Sequence, residues 1–122
     1  MKLLASRKHL AATAALMAGL LTGVDTQAPV TWAEEAVTVH LSLKDHRFQP
    51  AEVRAPAGKP VTIVISNLDP APAEFESKTL RVEKAVAGGG TITVQIRPLA
   101  AGRYRFFDDY HEDTAEGYLN VQ

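Results

Sequence analysis

From Val37 onward the chain alternates apolar and polar positions at a spacing of two, and no stretch sustains a helical period. Val37, Val39, Leu41 and Leu43 share one face of a first strand, because successive side chains of a strand point to opposite sides. The β-branched run Val61–Asn67 predicts a second long strand. Residues 91–97 repeat the alternation through Ile92, Val94 and Ile96. Shorter strands are predicted at 52–54, Ala73–Ser77, 80–84, 104–107 and 117–121. Between them, Phe48-Gln49-Pro50, Ala57-Gly58-Lys59-Pro60, Asp69-Pro70-Ala71-Pro72, Gly88-Gly89-Gly90 and Ala101-Gly102 carry turn chemistry. Residues 108–116 read as a polar loop or a single helical turn. About eight short strands at this turn spacing predict an all-β chain folded as one β-sandwich.

The beginning of the chain follows a different rule. Lys2, Arg7 and Lys8 precede the uncharged run 10–24, and Thr31-Trp32-Ala33 places small residues at −3 and −1. That order is the pattern of a Sec-type signal peptide. The apolar run is shorter than the roughly 20 residues a membrane span requires. The chain therefore divides into a leader, 1–33, and one domain, 34–122, with Ala28 as the alternative cleavage point. After cleavage the product is not membrane-inserted.

Removing the leader changes the composition decisively. It takes three of the 13 basic residues and one of the 14 acidic ones, leaving 10 and 13 and a net charge of −3. A mildly acidic domain offers no electrostatic footing for nucleic acid. Met1, Met17 and Trp32 leave with the leader, and the chain has no cysteine. The exported domain thus contains no sulfur, which excludes disulfides, iron–sulfur clusters, thiol catalysis and thiolate or thioether metal ligands.

Two clusters carry candidate chemistry. In Glu74-Phe75-Glu76 the two carboxylates fall on one strand face and Phe75 on the other. Such a pair chelates a hard cation, or else marks a solvated edge that discourages aggregation. Residues 108–116 hold Asp108, Asp109, Glu112, Asp113 and Glu116 around His111, without a lysine or arginine. Charge so concentrated must be solvated, paired at a distance or bound to a cation. The spacing is not that of an EF-hand. His40 is predicted on the polar face of the first strand. His46, in Lys44-Asp45-His46-Arg47, lies in a turn able to approach the acidic loop if the first and last strands are neighbours. Ser77 lacks a nucleophile elbow, and Gly88–90 lacks the lysine and helix of a phosphate loop, so a hydrolase is not expected.

The order of these pieces resembles a cupredoxin. Its carrying residues are the Ala57-Gly58-Lys59-Pro60 turn, the run Val61–Asn67 with Leu68-Asp69, Gly102-Arg103-Tyr104-Arg105-Phe106, His111, and Gly117-Tyr118-Leu119-Asn120-Val121. The likeness implies a single Greek-key β-sandwich over 37–122. Where the first copper histidine of a blue-copper protein would stand, this chain has Ala73-Glu74. At the cysteine place it has Phe107 or Asp108, and near the axial methionine Ala115. A type 1 copper centre needs its thiolate and is excluded.

A finer resemblance is to the EfeO-type cupredoxin-like domain and to stand-alone periplasmic cupredoxins of Efe/Ftr-type ferrous-iron uptake systems. It rests on Glu74-Phe75-Glu76-Ser77, Leu80, Glu83-Lys84, Tyr104, Phe106-Phe107 and His111-x-x-Thr114-Ala115-x-Gly117. The resemblance implies a periplasmic protein that binds or oxidises iron, or handles copper. Its implied partners are a periplasmic iron-binding protein and an inner-membrane iron permease. The implied ligands are Glu74, Glu76, Asp108 and His111, with Asp109 and Glu83 as second choices. Two other readings stay open: a metal-free adaptor for a permease or partner protein, and a copper carrier.

Overall fold

The computed structural model describes residues 36–122, with Gly23 as an isolated position before them. The expected leader, 1–33, and its expected cleavage points lie outside the described domain. Nine strands follow in order: β1 (Val37–Lys44), β2 (Arg47–Gln49), β3 (Glu52–Ala55), β4 (Val61–Asn67), β5 (Ala73–Ser77), β6 (Val82–Val86), β7 (Thr91–Ile96), β8 (Gly102–Asp108) and β9 (Glu116–Val121). A single 3-10 turn, Asp109–His111, separates the last two. Among the described residues no helix is long and apolar enough to cross a membrane.

The strands form two mixed sheets, ordered β2-β1-β4-β7 and β3-β9-β8-β5-β6. β1 runs parallel to β4, from Val37 opposite Val61 to Leu43 opposite Asn67. β3 runs parallel to β9, and the remaining pairs are antiparallel. Parallel neighbours cannot be joined by a tight hairpin, so the chain crosses between sheets and closes a Greek-key sandwich.

The period-two pattern explains the core. In β4 the inward Val61, Ile63 and Ile65 are buried while Thr62, Val64 and Ser66 are half-buried. They meet Phe75, Phe106 and Leu119 from the opposite sheet. Phe48 packs edge-on against Phe106 at 5.0 Å and against Phe75 at 6.2 Å between ring centroids. Burying each such side chain contributes about 1.5–3 kcal/mol, and with no cysteine in the chain the fold rests on this packing.

Three local expectations change. Arg47–Gln49, read as a turn, is a strand paired with β1 through Leu43 and Phe48, because Phe48 has a place in the core. The strand expected at 80–84 is displaced to Val82–Val86; Leu80 is buried in the preceding turn, where Arg81 takes φ 56°. β8 runs on to Asp108 instead of ending before it, since Asp108 pairs with Phe75 and its N–H donates to the Ala115 carbonyl at 2.9 Å. His40 is exposed, as its polar-face position predicts. One end of the sandwich therefore gathers the β1–β2 turn, the bend after β4 and the 3-10 turn after β8.

Candidate metal centre

The first wall of this pole is the two-residue turn Asp45-His46. Both residues have positive φ, 51° and 56°, as a tight hairpin between the paired Lys44 and Arg47 requires. Such backbone is costly for a residue with a Cβ, by about 1 kcal/mol or more. Asp69 compensates it. Its Oδ1 accepts from the Asp45 N–H at 2.7 Å and its Oδ2 from the His46 N–H at 3.0 Å. Asp69 is fixed in turn by the fully buried Asn67, whose Oδ1 accepts the Asp69 N–H at 3.0 Å and whose amide donates to the Ala71 carbonyl at 2.8 Å. The His46 N–H, more than burial opposes it, holds the Asp69 carboxyl below the usual carboxylate range, with help from the Asp45 N–H.

The second wall is Asp108, which is 1% exposed. Its Oδ1 accepts from the backbone N–H groups of Glu74 at 2.9 Å and Tyr110 at 3.1 Å. Its Oδ2 lies 3.3 Å from His111 Nδ1. The His46 and His111 rings stack with centroids 3.7 Å apart and planes 17° from parallel. His46 Nδ1 stands 3.7 Å from Asp69 Oδ2. One nitrogen from each histidine and one Asp108 oxygen lie within 4.8 Å of one another.

A separate group occupies the outer face of the β5–β8 sheet. Glu74, Glu76 and Asp109 bring carboxylate oxygens within 4.8 Å of one another, and Glu83 stands opposite Glu76 on β6. Partial burial first, then the negative neighbours Glu83 and Asp109, push the Glu74 and Glu76 carboxyls upward. The Tyr110 hydroxyl donates to Glu74 Oε2 at 3.3 Å, and the Glu74 charge raises the Tyr110 phenol in return. Arg105 takes two of the remaining acids, donating to Glu116 Oε2 at 2.9 and 3.0 Å and to Glu112 Oε1 at 3.2 Å. Four of the five acids in the stretch thus split three ways: Asp108 inward, Asp109 to the outer carboxylates, Glu112 and Glu116 to Arg105, while Asp113 is exposed.

The residues singled out in the sequence divide accordingly. Asp108 and His111 come together at the pole, while Glu74, Glu76 and Asp109 meet outside, with Glu83 beside them. Glu74 and His111 share no donor set; Asp108 links them, through the Glu74 backbone. Of the two positions weighed for the missing cysteine, Asp108 faces the pole, whereas Phe107 lies on the other face under the Arg105 guanidinium, 4.5 Å from its ring centroid. His46 and Asp69 complete the pole; the sequence offers His46 as a turn residue able to approach the acidic loop, outside the expected ligands, and Asp69 only as part of a turn. The approach of His46 runs across the sandwich end, since β1 and β9 lie in different sheets. Leu68 and Tyr110, 58% and 52% exposed, flank the same end.

Chemically, two imidazoles and a carboxylate suit a borderline divalent cation, and the all-oxygen outer group suits only harder ones. No thiolate is present for a type 1 copper site. The profile of the Cupredoxin-like domain family matches residues 11–121. Protein RP394 of Rickettsia prowazekii (strain Madrid E), itself uncharacterized, is 36% identical over 88 residues, covering 72% of this chain and 70% of that protein. Among solved structures, the metal-binding domain of the Cu(I)-exporting P-type ATPase CopA of Streptococcus pneumoniae D39, solved with Cu(I), superposes with a TM-score of 0.65 at 14% identity, covering 72% of this chain and 87% of that one. Auracyanin A, a blue copper protein of Chloroflexus aurantiacus, gives 0.61 at 17% identity over 71% and 99%. At these identities the two structures share the fold.

Proposed function

The chain belongs to the cupredoxin-like domain family, and from that footing we propose that it is an exported metal-binding protein serving the uptake of iron, or of copper, in the periplasm. The observation that carries this reading is the convergence of His46, Asp108 and His111 at one pole of the sandwich. Neutral imidazoles and an ionised carboxylate hold Fe(II) or Cu(II) well and Cu(I) poorly, because Cu(I) prefers sulfur. That distinguishes this chain from its Cu(I)-bound structural neighbour. A bound ion of this kind supplies one-electron chemistry; the oxygen and nitrogen donors favour the higher oxidation state of iron. The outer carboxylates Glu74, Glu76, Glu83 and Asp109 raise the local concentration of cations beside the pole. By its EfeO-type resemblance the protein works beside a periplasmic iron-binding protein and an inner-membrane iron permease.

Calorimetric titration of the purified chain with Fe(II) under anaerobic conditions, and separately with Cu(II), tests the reading. Binding that His111→Ala abolishes supports it. A wild-type protein that binds neither ion overturns it. The exposed Leu68 and Tyr110 at the same pole favour a second reading, a metal-free adaptor that docks this end on a partner, which that negative result would bring forward.

A further inference from the structure

The geometry points to Asp69 as the positioning residue that makes the pole a two-histidine centre, locking the β1–β2 turn in its left-handed form and setting His46 against His111. This rests on the metal-binding reading and assigns the part of the site that lies farthest from the acidic loop.

Each histidine ring faces a buried carboxylate held by backbone amides, at 3.3 Å for His111 and Asp108 and at 3.7 Å for His46 and Asp69. Asp108 accepts two backbone N–H groups, from Glu74 and Tyr110, and turns its other oxygen toward His111 Nδ1. Asp69 accepts two backbone N–H groups, from Asp45 and His46, and faces His46 Nδ1. Both carboxylates are buried, at 1% and 8% exposure, and each is already fixed before any ion arrives. Asp69 lies outside the donor set, and a carboxylate so placed beside His46 Nδ1 orients that ring and favours its Nδ1–H form, leaving His46 Nε2 for an ion shared with Asp108 and His111.

The turn itself argues against a merely structural role. A hairpin that only reverses the chain would be made better by glycine at these positions. Asp45 and His46 occupy left-handed backbone instead, and the carboxylate that stabilises them is anchored to β4 through Asn67 and to the β6–β7 turn through the Gly89 N–H, which donates to the Asp69 carbonyl at 3.0 Å. These bonds tie the turn to the segment that follows β4. Its one exported product is the His46 ring, seated 3.7 Å from that of His111.

The test uses the full chain processed in an export-competent host, with Zn(II) as a diamagnetic probe and Fe(II) under anaerobic conditions. Imidazole nitrogen NMR of the metal-free protein reads the tautomers. Asp69→Asn should shift His46 toward the Nε2–H form, leave His111 unchanged, and weaken Zn(II) binding about 10–100-fold, the usual effect of losing such a partner. His46→Gly should weaken binding as much, yet melt at or above the wild-type temperature, because glycine accepts this backbone freely. Adding Asp69→Asn to His46→Gly should cause no further loss of affinity. A His46→Gly protein that binds as wild type overturns the inference and leaves the metal-binding reading standing. So does an Asp69→Asn change that still weakens binding without His46. If the wild type binds neither ion, both fall together.

Discussion

His46 and His111 stack ring on ring at 3.7 Å although one stands in the turn of the β2-β1-β4-β7 sheet and the other just beyond β8 of the opposite sheet. At this end the pair joins the two layers through residues outside the strands. His46→Ala and His111→Ala should each weaken Zn(II) or Cu(II) binding, and the double variant should lose less than the sum, as contacting residues do. Glu74→Gln combined with His111→Ala should be additive, because their side chains belong to different donor groups. Titration calorimetry on the variants decides between these patterns; additivity at His46 and His111 would place them in separate sites.

Copper loading offers an optical check. The chain has no cysteine, and its two methionines, Met1 and Met17, fall within the expected leader, so Cu(II) at the pole meets only nitrogen and oxygen donors. Only weak visible absorption should appear, with none of the intense thiolate-to-copper band of a blue site. If residues 1–33 are removed on export, as the sequence leads one to expect, Trp32 goes with them and emission should come from Tyr104, Tyr110 and Tyr118. An intense blue colour would contradict the donor assignment.

Acid should unfold the domain partly through Asp69. Its carboxyl lies below its ordinary value of 3.8 in the fold, so the unfolded chain takes up the proton first as pH falls. The stabilisation is complete above about pH 4 and is lost as pH drops through the lower folded value. Asp69→Asn should flatten the acid limb of a plot of melting temperature against pH from 7 to 3. An unchanged acid limb would mean that other carboxylates govern it.

The outer carboxylates act in the opposite sense. Glu74 and Glu76 bind protons more readily in the fold than in the unfolded chain, so their contribution to stability grows as pH falls toward their raised values. Glu76→Gln should therefore raise the melting temperature at pH 7 and low salt, by up to about 4 °C. The gain should shrink in high salt, which screens exposed charges, and disappear in acid. A lowered melting temperature would show that Glu76 makes a stabilising contact of its own.

Much of this architecture is written in the alternation of the chain. The inward positions of β1, β4 and β7 follow directly from the period of two, and both long strands fall where the β-branched runs place them. Asp108 was also readable in principle: Tyr104 and Phe106 point inward, so the next inward position is Asp108, yet its charge suggested a loop. β2 is harder to read because three residues ending at Pro50 carry turn chemistry, and only the vacancy beside Phe75 and Phe106 makes Phe48 a core residue. His46 and Asp69 illustrate the real limit. Each looks locally like an ordinary turn residue, and their meeting depends on which three loops share one end of the sandwich.

The parallel pairings β1–β4 and β3–β9 have a consequence for how this protein comes into being. Every wall of the pole arrives from a different part of the chain, the Asp45-His46 turn early, Asp69 in the middle and Asp108 with His111 near the end. Contacts between such distant segments form slowly, after the loop-closure entropy of the whole domain has been overcome. An unfolded or partly synthesised chain therefore presents no assembled donor set, and an ion that recognises the pole recognises completed protein. If the proposed metal binding holds, an ion adds to the stability of the finished fold by mass action, and its removal should show as weaker hydrogen-exchange protection at this end.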